Sequence, residues 1–443
     1  MDTINMVGQF LLSLSLIVVL HECGHFFPAR WFKTRVERFY LFFHPWFSLV
    51  KIKKGETEYG IGWLPLGGYV KISGMIDESF DKDQMAGPPQ PWEFRSKPAW
   101  QRLIIMIGGV TVNFILAVVV FAGILMYWGE QYLPNDRAIH GIVAEDLGKS
   151  LGLETGDRII SINDVPLDRF DPGEVTRRIV IDEARIISVL RDGTTQRIRV
   201  PEEVARSLAT FDNKDAALFT IRLPVTIAQV AEGMAAEEIG LRDGDQIVAI
   251  GDTPTGYYDV YQQVKDRYSN QVAPLTIIRS GDTLTYEAKF DSLGRIGFMP
   301  YGPDYYYRLE DNRYSLGPAI VGGYKRASGF IGDQLKAFGQ MFRGKIKASE
   351  SLGSFISIGQ MYGPSWNWRR FWSMTAMLSA LLGFVNLLPI PGLDGGHVMF
   401  LLWEVITRRK PSEKVLEYST MAGFLLLVGL MIYSFGLDLM RNI

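Results

Sequence analysis

Cysteine is almost absent from this chain. Its 443 residues include one, Cys23, so no disulfide within the chain can brace any part of it and each folded segment must stand on its own core. Histidine is nearly as scarce, with five residues. Neither sign of charge is in excess: 46 Lys and Arg face 48 Asp and Glu, a formal net charge of −2. A chain-wide basic surface is therefore excluded, and no nucleic-acid partner is expected. The first apolar run, Ile4–Leu20, also lacks the basic head and small-x-small exit of a cleaved leader, and is expected to be retained as a membrane span.

What is present is apolar length in separate blocks. Hydrophobic residues make up 47% of the chain. They concentrate in Ile4–Phe27, Leu103–Trp128, Phe371–Leu388 and Tyr418–Leu437. Each block is near the roughly 20 residues that a bilayer core requires. Four spans are predicted, with the lipid bilayer as one partner. Arg30, Lys33, Arg35 and Arg38 follow the first span; Arg95, Lys97 and Arg102 precede the second; Arg408, Arg409 and Lys410 follow the third. The positive-inside rule puts these groups in the cytoplasm, against the opposing vote of Arg369 and Arg370. Both termini and residues 129–370 are then expected outside.

The end of the first span reads His21-Glu22-Cys23-Gly24-His25. Residues four apart share a helix face, so His21 and His25 can hold one zinc ion together. Glu22 is placed to take a proton from a zinc-bound water. An acidic residue at membrane depth costs roughly 2.5–3.5 kcal/mol on insertion scales, which argues against an incidental carboxylate. Cys23 lies two residues from either histidine, faces elsewhere, and is read as packing.

Between the first two spans, Phe39–Val50 is rich in aromatics, and Glu58–Ile72 mixes β-formers with Gly60, Gly62, Pro65, Gly67 and Gly68. Short strands with tight turns are predicted, placed at the membrane and able to pair with an extended peptide. A small cytoplasmic hairpin is the plainer alternative. The acidic, proline-rich stretch 77–98 reads as a surface loop. Span two carries Gly108 and Gly109, small residues that let helices approach, and Asn113, a buried polar group that needs a partner, as glue between helices or, second, as a site contact.

Residues 129–303 contain an internal repeat. Leu151-Gly152-Leu153-Glu154-Thr155-Gly156-Asp157 answers Ile239-Gly240-Leu241-Arg242-Asp243-Gly244-Asp245, and Arg191-Asp192-Gly193 answers Arg279-Ser280-Gly281, both at an offset of 88 (245 − 157; 279 − 191). The Gly-Leu-x-x-Gly-Asp-x-Ile stretch resembles PDZ domains, which implies two tandem domains at 129–222 and 223–303. Peptide C-termini are then candidate ligands, at Leu218–Ile221 and Gly294–Phe298. Residues 304–370 read as a linker with an amphipathic helix at 314–345, lying on the membrane or packed on the domain pair.

The third apolar block ends in Asn386-Leu387-Leu388-Pro389-Ile390-Pro391-Gly392-Leu393-Asp394-Gly395-Gly396-His397. Its prolines and glycines must break the helix, and broken helices at membrane depth line cavities. Spans one and three both enter from outside, and about 17 residues on each side bring the two motifs to the same depth, about 25 Å in. Asp394 is the expected third zinc ligand, which leaves the fourth position for water. His397 is a rival ligand or a neighbour.

Taken together, these motifs resemble the membrane-embedded site-2 protease family, in its bacterial form with tandem PDZ domains. The resemblance covers nearly the whole chain. It implies a multi-domain membrane protein: an α-helical four-span membrane domain (residues 1–128 and 371–443) with a membrane-associated β region, plus two extracytoplasmic PDZ-like α+β domains. It implies Zn2+ held by His21, His25 and Asp394, with Glu22 as general base. Asn386, Pro389 and Pro391 are implied beside the substrate, and Gly60, Gly62, Pro65, Leu66, Gly67 and Gly68 on a strand-pairing surface. The location implied is a bacterial inner membrane with the active site toward the cytoplasm. The substrates implied are single-span proteins already trimmed outside, such as anti-sigma factors and signal-peptide remnants. Relatives often carry Gly-Pro in span two where this chain has Gly109-Val110. A non-catalytic, membrane-anchored PDZ adaptor is the alternative from another class, with a zinc transporter behind it.

Overall fold

The computed structural model describes residues 2–75, 87–210, 213, 216–347 and 355–442. The loop expected at 77–98 thus lies partly outside the described residues. Contacts divide the chain into two units: residues 1–129, 313–343 and 347–443 form one, and residues 130–312 with 344–346 the other.

The first unit is built on helices α1 (Asp2–Trp31), α2 (Ala99–Tyr127), α3 (Leu316–Phe342), α4 (Trp368–Leu387), α5 (Asp394–Thr407) and α6 (Glu413–Asn442). Among the described residues, three helices are long and apolar enough to cross a membrane: Asp2–Trp31, Ala99–Tyr127 and Lys414–Met440. The remaining expected span forms α4, twenty residues that open on Arg369 and Arg370. Pro389 and Pro391 end it, since proline has no N–H to continue the ladder and forces the residue before it into an extended conformation, as seen at Leu388.

Small residues let these helices touch. A Cβ on Gly24 would run into the Gly108 carbonyl, and one on Gly108 into the Gly24 carbonyl, so α1 and α2 cross backbone to backbone. Hydroxyls then bond across: Ser13 Oγ and Thr375 Oγ1 lie 2.9 Å apart, and Ser379 Oγ donates to the Asn113 carbonyl at 2.8 Å. α3, expected on the membrane surface or the domain pair, has its small face closed on α2 instead. Gly323 meets Val118 and Ala122, and Ala327 is buried with Ala117, Phe121 and Ile124.

Val36–Lys54 and Thr57–Ile72 form one sheet, numbered β1 and β2. Left-handed Phe42 and Trp46 bend β1 back on itself. Tyr40 consequently lies opposite both Gly60 and Tyr69, while Lys51 lies on the other side of Gly60. Gly60 and Gly62 are thus inside the sheet, where a side chain would strike the Tyr40 ring or the Phe43 carbonyl. Gly68–Ile72 has its β1 partner, Val36–Leu41, on one side only.

In the second unit the repeat becomes two four-stranded sheets of the same order. One is Val165–Pro166, Arg158–Ile162, Ile186–Arg191 and Thr194–Arg199; the other is Thr253–Pro254, Gln246–Ile250, Val272–Arg279 and Asp282–Lys289. Each has its own apolar core, one around Ile159, Ile187 and Phe219, the other around Ile247, Leu275 and Phe290. The two segments expected to bind peptides each have one edge engaged: Phe219–Ile221 pairs with Ile142–Ala144, and Phe298–Pro300 with Ile227–Val230.

The repeated Gly-Asp has a physical reason. Gly156 and Gly244 take left-handed turns that exclude a side chain. The following aspartates turn back to cap the loop: Asp157 accepts from Glu154 N at 2.8 Å, and Asp245 from Arg242 N at 2.7 Å. Arg191 and Arg279 clamp these two buried carboxylates. Burial would raise the Asp245 pKa, but the Arg279 and Arg242 hydrogen bonds outweigh it and hold the group below its ordinary 3.8. A depressed acid stabilises the fold above its unfolded pKa, and that stability is lost as pH falls through the folded value. Arg279→Ala is therefore expected to destabilise this half on the order of 3 kcal/mol at neutral pH, with less difference from wild type in acid. Hydrogen exchange along Val272–Arg279 in the full chain measures it; equal protection at both pH values would refute the coupling.

Candidate metal centre

The site assembles from four helices and one strand. His21 and His25 lie one turn apart on α1, and both are buried. Asp394 is the first residue of α5. Its approach is held by glycines: Gly392 turns left-handed, and a Cβ on Gly395 or Gly396 would strike the carbonyls of Leu388 or Ile390. α6 presses on the same loop, with Gly423 against the Pro391 carbonyl. At its far end α5 is tied to α2 by an ion pair between Glu404 and Arg102.

One ligand atom each from His21, His25 and Asp394 comes within 4.8 Å of the others. The triangle is close to equilateral. The two Nε2 atoms are 3.3 Å apart, and Asp394 Oδ2 lies 3.4 Å from His21 Nε2 and 3.2 Å from His25 Nε2. Tetrahedral zinc, with bonds of about 2.0–2.2 Å, sets its ligand atoms about 3.3–3.5 Å apart. His397 is outside this group.

The donor chemistry agrees with the spacing. His25 Nδ1 lies 2.8 Å from the Ile105 carbonyl, which can only accept. The neutral ring therefore carries its proton on Nδ1 and turns the Nε2 lone pair toward the Asp394 carboxylate. Asp394 Oδ2 is itself buried and accepts no hydrogen bond. Lone pairs converging on a buried carboxylate repel one another unless a cation lies between them. These residues fit a zinc ion.

Glu22 is buried on the same helix, beside the backbone of Val70. Gly68, two residues earlier in β2, lies over Val18 and 3.6 Å from the Glu22 Cγ, measured from where its Cβ would stand. The strand edge with one β1 partner thus runs beside the acid. Asn386 Nδ2 lies 3.3 Å from His21 Nε2, at the rim of the triangle. Pro389 is exposed and Pro391 half-buried on the loop between Asn386 and Asp394. Pro65 and Gly67 flank Leu66 where β2 approaches its last segment, and Gly67 is left-handed against the Phe43 ring.

Two residues of span two, read first as helix-packing positions with a site contact second for Asn113, line the site. Gly109 walls the site: a Cβ there would enter the space of both imidazoles. Asn113 Nδ2 lies 3.0 Å from His21 Nδ1, and the residue is fully buried. Both stood out as small or polar residues in span two, but helix spacing alone does not say which face meets which neighbour.

Comparison with known proteins agrees with this chemistry. The profile described as peptidase family M50 matches residues 9–430. The regulator of sigma-E protease RseP of Escherichia coli is 29% identical over 446 residues, which cover 96% of each chain. The regulator of sigma E protease of Haemophilus influenzae is 25% identical over 98% of each. A Neisseria meningitidis relative named as a zinc metalloprotease is 26% identical over 98% of each. The chain belongs to peptidase family M50, the zinc metalloproteases.

Proposed function

We propose that this chain is an intramembrane zinc endopeptidase with its metal on His21, His25 and Asp394 and with Glu22 as its general base. The observation that carries this is the near-equilateral triangle of Nε2, Nε2 and Oδ2 with Glu22 buried beside it. Zinc bound there supplies a Lewis acid and lowers the pKa of water. Glu22 takes the proton of the attacking water and passes it to the leaving amine. Asn386, at the rim, holds the substrate backbone or the developing oxyanion. A substrate helix must unwind before its carbonyl can be attacked. The Gly68–Ile72 edge supplies the backbone bonds that the unwound segment loses, with Pro65–Gly67 at its approach.

On this reading α4 is a fourth span, both termini and the second unit face the outside of a bacterial inner membrane, and the second unit is a PDZ-like pair. The substrates are single-span membrane proteins already trimmed outside, with the pair excluding bulky uncut ones. The apolar helices and the relatives' names support this reading.

The test is cleavage of a tagged single-span peptide by the purified chain in detergent. Chelation is expected to stop it and zinc to restore it. A folded domain fused to the substrate is expected to block cleavage until residues 130–312 are removed. Cleavage that survives chelation would overturn the metal assignment, and discrimination that survives the deletion would overturn the filter.

A further inference from the structure

His21 can serve a metal through Nε2 only if its other ring nitrogen keeps the proton. We infer that Asn113 is the positioning residue that holds it there, its carboxamide oxygen accepting the His21 Nδ1–H. This rests on the metal reading above.

His25 shows the requirement already met, because the Ile105 carbonyl can only accept and so pins the proton to Nδ1. The Nδ1 of His21 has no such carbonyl. It faces the Asn113 side chain at 3.0 Å. A carboxamide has two faces of nearly equal size. With Nδ2 toward the ring, Asn113 would donate to Nδ1 and drive the ring proton onto Nε2. That proton would then occupy the space between His25 Nε2 at 3.3 Å and Asp394 Oδ2 at 3.4 Å, where the metal belongs. A half-turn puts Oδ1 on the ring, fixes the proton at Nδ1 and leaves the Nε2 lone pair free.

Packing alone does not account for this residue. Asn113 is fully buried, and among the described residues Oδ1 has no partner and the side chain bonds to His21 alone. A buried amide kept for structure would have its bonding capacity met within the helices. The backbone around it is firmly placed: the Asn113 carbonyl accepts from Ser379 Oγ at 2.8 Å, and α4 comes so close that a Cβ added to Gly383 would stand 3.2 Å from the Asn113 Cβ. α4 thus presents the amide to α1, and one residue links three helices at the metal.

The test compares Asn113→Leu, of the same branched outline but bulkier and with no acceptor, and Asn113→Asp, an acceptor only. Zinc affinity is measured by chelator competition on the full chain in detergent, beside the melting of the metal-free protein and cleavage. Asn113→Leu is expected to weaken zinc binding about 10–100-fold without lowering the metal-free melting temperature. Asn113→Asp is expected to retain zinc and cleavage. Wild-type zinc affinity in Asn113→Leu, or equal loss in both variants, would overturn the inference. A wild type that binds no zinc would instead overturn the metal reading on which it rests.

Discussion

Glu22→Gln is expected to lower the cleavage rate about 10²–10⁴-fold while leaving bound zinc at the wild-type level. The change is nearly isosteric. Glutamine keeps the size and polarity of the side chain that Gly68 approaches, so β2 keeps its place over α1. What is lost is the capacity to take and return a proton. Among the described residues, Asp394 is the one carboxylate in the group that could hold a metal, and a carboxylate holding zinc is not available as the base. Cleavage and zinc content measured on the same preparations separate the outcomes. Lost cleavage with zinc retained assigns the base. Loss of zinc as well would make Glu22 part of the metal shell, and full activity would remove it from the chemistry.

Gly109→Ala should be nearly as damaging, for a different reason. A single methyl at this position enters the space of both imidazole rings. Neither ring is free to swing away, since His25 is held at Nδ1 by the Ile105 carbonyl and His21 by Asn113. Moving α2 away from α1 would open the close Gly24–Gly108 backbone contact one position away. A zinc affinity lowered at least about tenfold, with cleavage lost, is the expected result. Gly123→Ala, on the same helix with nothing within 4 Å of its added Cβ, is the control. It should leave zinc and cleavage unchanged and, as alanine for glycine inside a helix, stabilise by roughly 0.5–1 kcal/mol. Equal behaviour of the two variants would mean that the wall at Gly109 yields.

The sequence by itself determined what rests on local spacing. His21 and His25 share a face because they are four apart on a helix, and Pro389 and Pro391 end α4 because proline cannot continue one. The offset of 88 residues announced two copies of one unit, and the structure forms the same four-stranded sheet twice. Apolar runs marked the helices able to span a bilayer, although α4, with its arginines and tryptophans, is less apolar than the others.

The tertiary structure alone decided what depends on which faces meet. Gly60 and Gly62 were read with Gly68 as one pairing surface. Only the return of β1 on itself shows that the first two sit inside the sheet and that Gly68–Ile72 has a partner on one side. The repeated Arg at 191 and 279 was visible as a pattern, yet its partner, the Gly-Asp carboxylate 34 residues earlier, required the fold. Asn113 and His21 are 92 residues apart, and Ile105 and His25 are 80 apart. Contacts at such separations follow from the rotation and depth at which helices lock. That lock is set by a few glycines touching backbone to backbone, for which periodicity along a single helix carries no record.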